Sequence, residues 1–392
     1  MARARSKVLV VAGEASADLH AGHVFAELAS RREVELIGIG GDRLLALGLK
    51  AIATASEMGV VGLTEAISRI PRSLALLREL EELAAREQPD FAFLVDLPDF
   101  NLRLAPRLKQ LGIPVVYFVS PQVWAWRSGR VRAMSECIDR LLCILPFEKS
   151  WYAKNAPAKL RVDYVGHPAV EEIPDLPYAP EPELVALLPG SRVREIRTLF
   201  PAMIAAAAAL RRERPGLRFV LPLAATLRGN AEITELLRRG DAETKGAIVQ
   251  LGDAYKVVEA PAHEVLRRAK LALVASGTAT LETAVVGTPM VVVYKVSAFS
   301  AFLFRNFIRY RGPVAMANIL HCGLGALDRA VPELLQEEVR ADAIAAAARE
   351  LLSSETAWTT QANRLARTRS LLTGGVGSPT DNVIAALGDY LT

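Results

Sequence analysis

Short apolar runs, each closed by a loop of small residues and followed by a helical spacing of apolar positions, recur along the chain. Residues 271–293, LALVASGTATLETAVVGTPMVVV, show the unit most plainly. An apolar run leads to a turn at Ser276, Gly277 and Thr278, a helix passes through 281–285 to a Gly287 stop, and Pro289 precedes a second apolar run. That is one βαβ unit. Its first crevice places hydroxyls and free N–H groups, through Ala279, at the positive end of a helix dipole, where a phosphate is favoured. Glu282, one turn into the helix, is placed to accept hydrogen bonds from a ribose diol; the same residues also read as an ordinary capped helix start.

The pattern opens at 8–12, where a strand runs into the loop Gly13-Glu14-Ala15-Ser16-Ala17-Asp18 and then a helix. Further strands are expected at 36–39, 91–95, 115–119 and 141–145. Asp96-Leu97-Pro98-Asp99-Phe100-Asn101 lies just past the end of 91–95, and ligands of open α/β sheets bind outside such strand ends, which makes both aspartates suspects. Pro168, Pro174, Pro177, Pro180 and Pro182 then mark a linker. Beyond it the opening pattern returns, with a strand at 184–188, the loop Pro189-Gly190-Ser191-Arg192, a helix, and strands at 219–223, 247–251 and 271–275. The expected organisation is α/β, with a first domain over 1–178 and a second over 179–375. Gly374, Gly375 and Gly377 precede a terminal helix within 376–392 that is free to pack back on the first.

Composition narrows the function. A chain of 392 residues, 51% hydrophobic and 23% charged, has material for about two cores. Its net charge of +4 is scattered rather than clustered, so nucleic acid is not expected as a partner. Three cysteines, Cys137, Cys143 and Cys322, lack metal-ligand spacing and read as reduced thiols. The first apolar run is cut by Glu14 and reads as a strand rather than a signal peptide, and no uncharged run reaches the roughly 20 residues a bilayer needs. Residues 294–311 interleave Phe299, Phe302, Phe304, Phe307 and Tyr310 with Arg305, Arg309 and Arg311. Such a helix lies on an anionic membrane surface or in a core with snorkelling arginines. The apolar stretch 58–70 is likewise either core or a receiver of lipid.

Together GEASAD, MGVVGLTEAI, DLPDFN, SPQVWAWR, LPFEKSWY, VGHP, LPGSRVREI and SGTATLE, in this order, resemble the lipid-A-disaccharide synthase family from about residue 8 to residue 336. The resemblance implies a GT-B glycosyltransferase, two Rossmann-like doubly wound parallel-sheet domains facing a central cleft, with the donor nucleotide held chiefly by the second. The implied reaction joins UDP-2,3-diacylglucosamine to 2,3-diacylglucosamine 1-phosphate, giving a β-1,6-linked disaccharide and UDP. It implies a cytoplasmic enzyme, peripheral on the inner membrane, with no cofactor and no metal, and leaves oligomerisation open.

An inverting transfer needs a base for the acceptor hydroxyl. Asp96 matches the family's DAPDFN-like motif and comes first for that role; Asp99 comes second, with an N-cap or buried hydrogen bonder as its plainer reading. Glu14 and Ser16 match the first loop and are expected to face the acceptor or the transferred sugar, unless they cap the helix. Arg192, with Gly190, Ser191 and the N–H groups of Ser276, Gly277, Thr278 and Ala279, is expected to meet the charge on the leaving diphosphate. Asn318 corresponds to the asparagine of the family's Leu-Pro-Asn segment and is expected at donor phosphate or uracil. Two positions depart from the family: Ala17 where glycine is usual, and Met316-Ala317 where Leu-Pro is expected. The competing functions are a UDP-GlcNAc 2-epimerase on the same fold and a nucleotide-sugar-binding homologue without activity.

The membrane reading of 294–311 is testable. Reversing charge at Arg305 and Arg309 (R305E, R309E) is expected to lower recovery with anionic vesicles in flotation; undiminished recovery contradicts a surface helix.

Overall fold

The five strands expected in the N-terminal half, with two more polar ones at its edges (β3 and β7), form one parallel sheet: β1 (Ser6–Ala12), β2 (Val34–Gly40), β3 (Lys50–Thr54), β4 (Phe91–Val95), β5 (Val115–Phe118), β6 (Arg140–Cys143) and β7 (Arg161–Tyr164). Their order is β3-β2-β1-β4-β5-β6-β7. The computed structural model describes residues 5–58, 70–126, 128–295, 312–375 and 377–391. The stretches 58–70 and 294–311, singled out above as lipid or membrane contacts, lie almost wholly outside the described residues.

Helices cover both faces of this sheet, which explains why its central strands are apolar without alternation. Leu9 and Val11 of β1 point to one face and Val8, Val10 and Ala12 to the other. On the second face lies α1 (Ala15–Arg31), whose Ala17, Ala21, Val24, Phe25 and Leu28 recur at helical spacing and are buried. The short α2 (Asp42–Ala46) follows β2. On the first face, α3 (Ile70–Glu87) packs beside α4 (Pro98–Gln110) and brings Leu76, Leu77, Leu80 and Leu83 to the core. After β6 comes α5 (Pro146–Asn155).

Asp18 is a structural residue in the GEASAD segment. Its buried carboxylate accepts the N–H groups of Gly41 (2.7 Å), Arg43 (3.0 Å) and Leu44 (3.2 Å) at the start of α2. A Cβ on Gly41 would come 2.7 Å from that carboxylate, so glycine is required by the close approach.

The second sheet repeats the plan with β8 (Glu181–Leu188), β9 (Arg218–Pro222), β10 (Tyr255–Val258), β11 (Ala269–Ala275), β12 (Met290–Tyr294) and β13 (Glu333–Leu335), in the order β10-β9-β8-β11-β12-β13. Its helices include α6 (Val193–Glu213), α7 (Ala262–Arg268), α8 (Thr278–Val286) and α9 (Met316–Cys322). One expected strand is corrected. Residues 247–251 lie in a helix, Lys245–Leu251, that buries Leu251 and leaves Val249 70% exposed. Gly252, at φ +52°, ends it before the true strand β10.

The chain divides into two compact units, Met1–Pro168 with Leu372–Thr392, and Ala169–Leu371. Both crossings therefore fall earlier than the 178/179 and 375/376 read from the prolines and glycines. Residues 169–178 are held within the second unit, where the Arg369 guanidinium donates to the carbonyls of Val170 (2.7 Å) and Ile173 (2.8 Å) and Tyr178 Oη donates to that of Ala269 (2.9 Å). Residues 372–374 join the first unit: His167 N–H donates to Leu372 O, and Gly374 lies so close to Gly166 that a Cβ would meet its nitrogen at 2.2 Å. The terminal helix α10 (Pro379–Leu387), N-capped by Ser378, packs on α1.

Replacing Asp18 by alanine strips three N–H groups of their acceptor, that of Leu44 buried and those of Gly41 and Arg43 partly so. Loss of about 2 to 3 kcal/mol in urea unfolding is expected; stability within about 0.5 kcal/mol of the parent would show that the α2 start is not held by this carboxylate.

Candidate active site

In both sheets the chain reverses its winding between the two central strands, β1 and β4 in the first, β8 and β11 in the second. The loops leaving such a pair diverge and open a crevice at the carboxyl ends of the strands. In the first unit those loops carry Glu14 and Asp96. Ala12 pairs with Val95, and a Cβ on Gly13 would sit 2.8 Å from Leu97 Cδ2, so the two loops are in contact. Glu14 holds the N-cap position of α1 in extended backbone but its exposed side chain makes no capping hydrogen bond; Ser16 is exposed in the first turn. Neither side chain is taken up by the helix as a cap.

Asp96 leaves β4 through an unusual backbone. Its N–H continues the ladder to Phe118 O (2.9 Å), after which Asp96 and Leu97 both turn left-handed, at φ 49° and 48°. Non-glycine residues in this region cost on the order of 1 to 3 kcal/mol each and persist only where neighbours hold them. The neighbours here are Asn101, whose Nδ2 donates to Asp96 O at 2.8 Å and to Val95 O at 3.2 Å, and Tyr117, whose buried hydroxyl donates to Asp96 O at 2.5 Å. The Asp96 carboxyl is raised above the usual aspartate value, first by burial and then by the charge of Glu14; the Leu97 N–H and His20 oppose this more weakly. A raised carboxylate takes a proton more readily. Asp99, by contrast, is 80% exposed on the first turn of α4, with Arg130 Nη1 3.4 Å away.

A second buried polar group lies along the β5 exit. Val119 is left-handed at φ 65°, and the next residue, Ser120, shares a 2.8 Å hydrogen bond with Tyr152. Glu148, 1% exposed, accepts from Trp124 Nε1 and from the Leu145 N–H, each at 3.0 Å. Burial pushes this carboxyl up to about 7 against those donors. The spacing Leu145-Pro146-Phe147-Glu148 is a helix-start signal, with Pro at the first position and Glu at the third, which locates Glu148 but not its burial.

In the second unit, Gly277 (φ +151°) makes the turn into α8, and Thr280 donates to Gly277 O through both its N–H (3.1 Å) and its hydroxyl (2.7 Å). The first N–H groups of α8, at Thr278 and Ala279, have no acceptor within the helix. Gly277 and Thr278 are exposed, Ser276 and Ala279 half-buried. The Ser276 N–H is taken by Val293 O (2.9 Å) and so is withdrawn from the expected donor set. Glu282 is half-buried, 3.8 Å from His263 Nδ1, and raised by burial, with the His263 N–H acting in the opposite sense.

The neighbouring loop sits at the end of β8, paired with β11 through Leu188 and Val274. Gly190, at φ +123°, lets Glu195 fold back, since a Cβ would come 2.5 Å from its carboxylate. Glu195 accepts the Ser191 N–H at 3.0 Å and pairs with Arg192 at 3.2 Å, while Thr226 Oγ1 donates to Ser191 O at 2.7 Å. The Ser191 N–H is thus already engaged. Arg192, 82% exposed, is the cation on offer.

Asn318 is placed elsewhere than expected. Fully buried, its Nδ2 donates to Val331 O (2.9 Å) and Glu333 Oε1 (2.8 Å) while its Oδ1 accepts the Val331 N–H (2.8 Å). It locks α9 to the start of β13, with both amide N–H groups engaged and the side chain buried. Among the described residues, no three His, Cys, Asp or Glu side chains gather into a set that could hold a metal ion, and no helix is long and apolar enough to cross a membrane.

Across residues 8–376 the chain matches the lipid-A-disaccharide synthetase family. The chain belongs to this family. It is 44% identical over 350 residues to the lipid-A-disaccharide synthase of Myxococcus xanthus, covering 86% of each chain, and 42% identical over 389 residues to that of Anaeromyxobacter dehalogenans, covering 96% of each. Among solved structures it is similar to the kitacinnamycin glycotransferase (TM-score 0.61, 15% identity, 100% of each chain). It is also similar to the Neisseria meningitidis UDP-GlcNAc 2-epimerase bound to UDP-GlcNAc (TM-score 0.58, 13% identity, 98% of this chain and 99% of that one). At such identities the structures show the fold alone, the GT-B type of α/β fold. Family membership, carried by the full-length relatives, makes the chain a hexosyltransferase and sets the epimerase reading aside.

Proposed function

We propose that this chain joins UDP-2,3-diacylglucosamine to 2,3-diacylglucosamine 1-phosphate, with inversion, to give the β-1,6-linked disaccharide 1-phosphate and UDP. The observation that carries the mechanism is the raised, partly buried carboxyl of Asp96 at the switch point of the first sheet. Asp96 takes the proton of the acceptor hydroxyl as that oxygen bonds to the donor's anomeric carbon. The bond from that carbon to the diphosphate breaks, and its electron pair leaves on UDP. Glu14, whose charge acts on Asp96, and Ser16 on the same first loop orient the sugar whose hydroxyl reacts.

Charge that builds on the diphosphate is met by Arg192 and by the N–H groups of Thr278 and Ala279, and Glu282 accepts from the ribose hydroxyls. Gly190 serves by letting the loop fold onto Glu195, and Gly277 by turning the chain into α8. Asp99, exposed beside Arg130, stands second to Asp96 for the same role. The diacyl substrates bring the enzyme to the cytoplasmic surface of the inner membrane, a placement supported by the aromatic and basic composition of 294–311.

For Asp96→Asn, kcat is expected to fall by about 10²- to 10⁴-fold while UDP binding by calorimetry is kept; near-normal turnover removes Asp96 from the base role. For Arg192→Ala, UDP affinity is expected to weaken by about 10- to 100-fold, the loss of a charge-assisted hydrogen bond. Unchanged UDP affinity contradicts the phosphate assignment.

A further inference from the structure

The carboxylate of Glu148 does more than its place in α5 requires. A glutamate at the third position of a helix satisfies a backbone N–H at the helix start, a task ordinarily done at the surface. Here Oε2 does that, for the Leu145 N–H, while Oε1 reaches across 24 residues of sequence to the indole N–H of Trp124. Phe147 packs edge-on against the same indole at 5.0 Å. Tyr152, one turn further along α5, shares a hydrogen bond with Ser120 and donates to Pro121 O at 3.3 Å. One helix thus grips both ends of the segment 120–124.

That segment begins just after a strained residue. Val119 is β-branched and left-handed, a conformation such residues adopt only when surroundings impose it. Two further contacts join the end of β5 to the backbone of Asp96: Phe118 O accepts the Asp96 N–H, and Tyr117 donates to the Asp96 carbonyl oxygen. A buried carboxylate with only donor groups on both oxygens is expensive to keep unless what it holds matters.

We propose that Glu148 is a positioning residue for the transfer, acting through Trp124 to fix the segment after β5 against the Asp96 loop. The proposal rests on the reading that Asp96 is the base. Glutamine at 148 has nearly the same shape but carries one acceptor oxygen, so it cannot serve both the Leu145 N–H and the Trp124 indole. Phenylalanine at 124 removes the indole N–H and leaves the Leu145 bond and the start of α5 intact.

The test is steady-state transfer by Glu148→Gln, Trp124→Phe and the double variant, with kcat expressed per UDP-binding site so that unfolded protein does not count. Each single variant is expected to lose about 10- to 100-fold in kcat, the scale of a small misplacement near the chemistry. KM for the UDP-sugar stays within twofold, and the double variant is no worse than the poorer single one. Should Glu148→Gln fail to fold, Trp124→Phe decides alone. Turnover by folded Trp124→Phe within twofold of the parent, or losses that multiply in the double variant, overturns the proposal. A parent enzyme that releases no UDP from donor plus acceptor instead overturns the reading beneath it.

Discussion

The exit of β4 is the constraint on which the rest of the first unit depends. Two successive left-handed residues, Asp96 and Leu97, turn the chain from strand to helix with no glycine to ease it. They are stable because the Asp96 carbonyl is held by Asn101 and Tyr117 together. The same turn starts α4, presses Leu97 against Gly13 and so fixes Glu14 and Asp96 in neighbouring loops. A relaxed backbone here would aim the carboxyl elsewhere and loosen the first loop with it. Strain of this sort, over-determined by buried hydrogen bonds, is how a fold holds a side chain in one orientation.

The strand order shared by the two sheets over six strands puts a crevice at the same topological place in each, but the chemistry differs. The first collects carboxylates, one of them raised by burial and by the other's charge. That is suited to removing a proton. The second collects donors, an exposed arginine and the N–H groups at the start of α8, suited to a leaving diphosphate. Glu195 supplies the arginine's counter-charge within its own loop.

Much of this was legible in the chain. The ends of β1, β4, β8 and β11 nearest their loops are apolar because both faces are covered, so runs and loops stand out; position marks the loops of Asp96 and Asp99, of Arg192 and of 276–279, and the family motif puts Asp96 before Asp99. What was not legible depends on direction. A polar residue in a motif does not reveal where its side chain points: Asn318 turns inward to Val331 and Glu333, and Asp18 serves the α2 backbone. Residues 247–251 are apolar enough for a strand, yet only Leu251 is buried there, which tertiary contacts decide. Glu148 sits at a helix start and is also the acceptor for Trp124, a contact no local spacing announces.

The pH dependence of kcat/KM, compared between the parent enzyme and Glu14→Gln, tests most directly whether Asp96 is the base and why. Its acid limb reports the ionisation of the free enzyme's base. In the parent that limb is expected above the ordinary aspartate value of about 4, and removing the charge of Glu14 is expected to move it to lower pH even if the overall rate falls. A limb at the ordinary value, or one that stays in place when Glu14 is neutralised, would contradict the account.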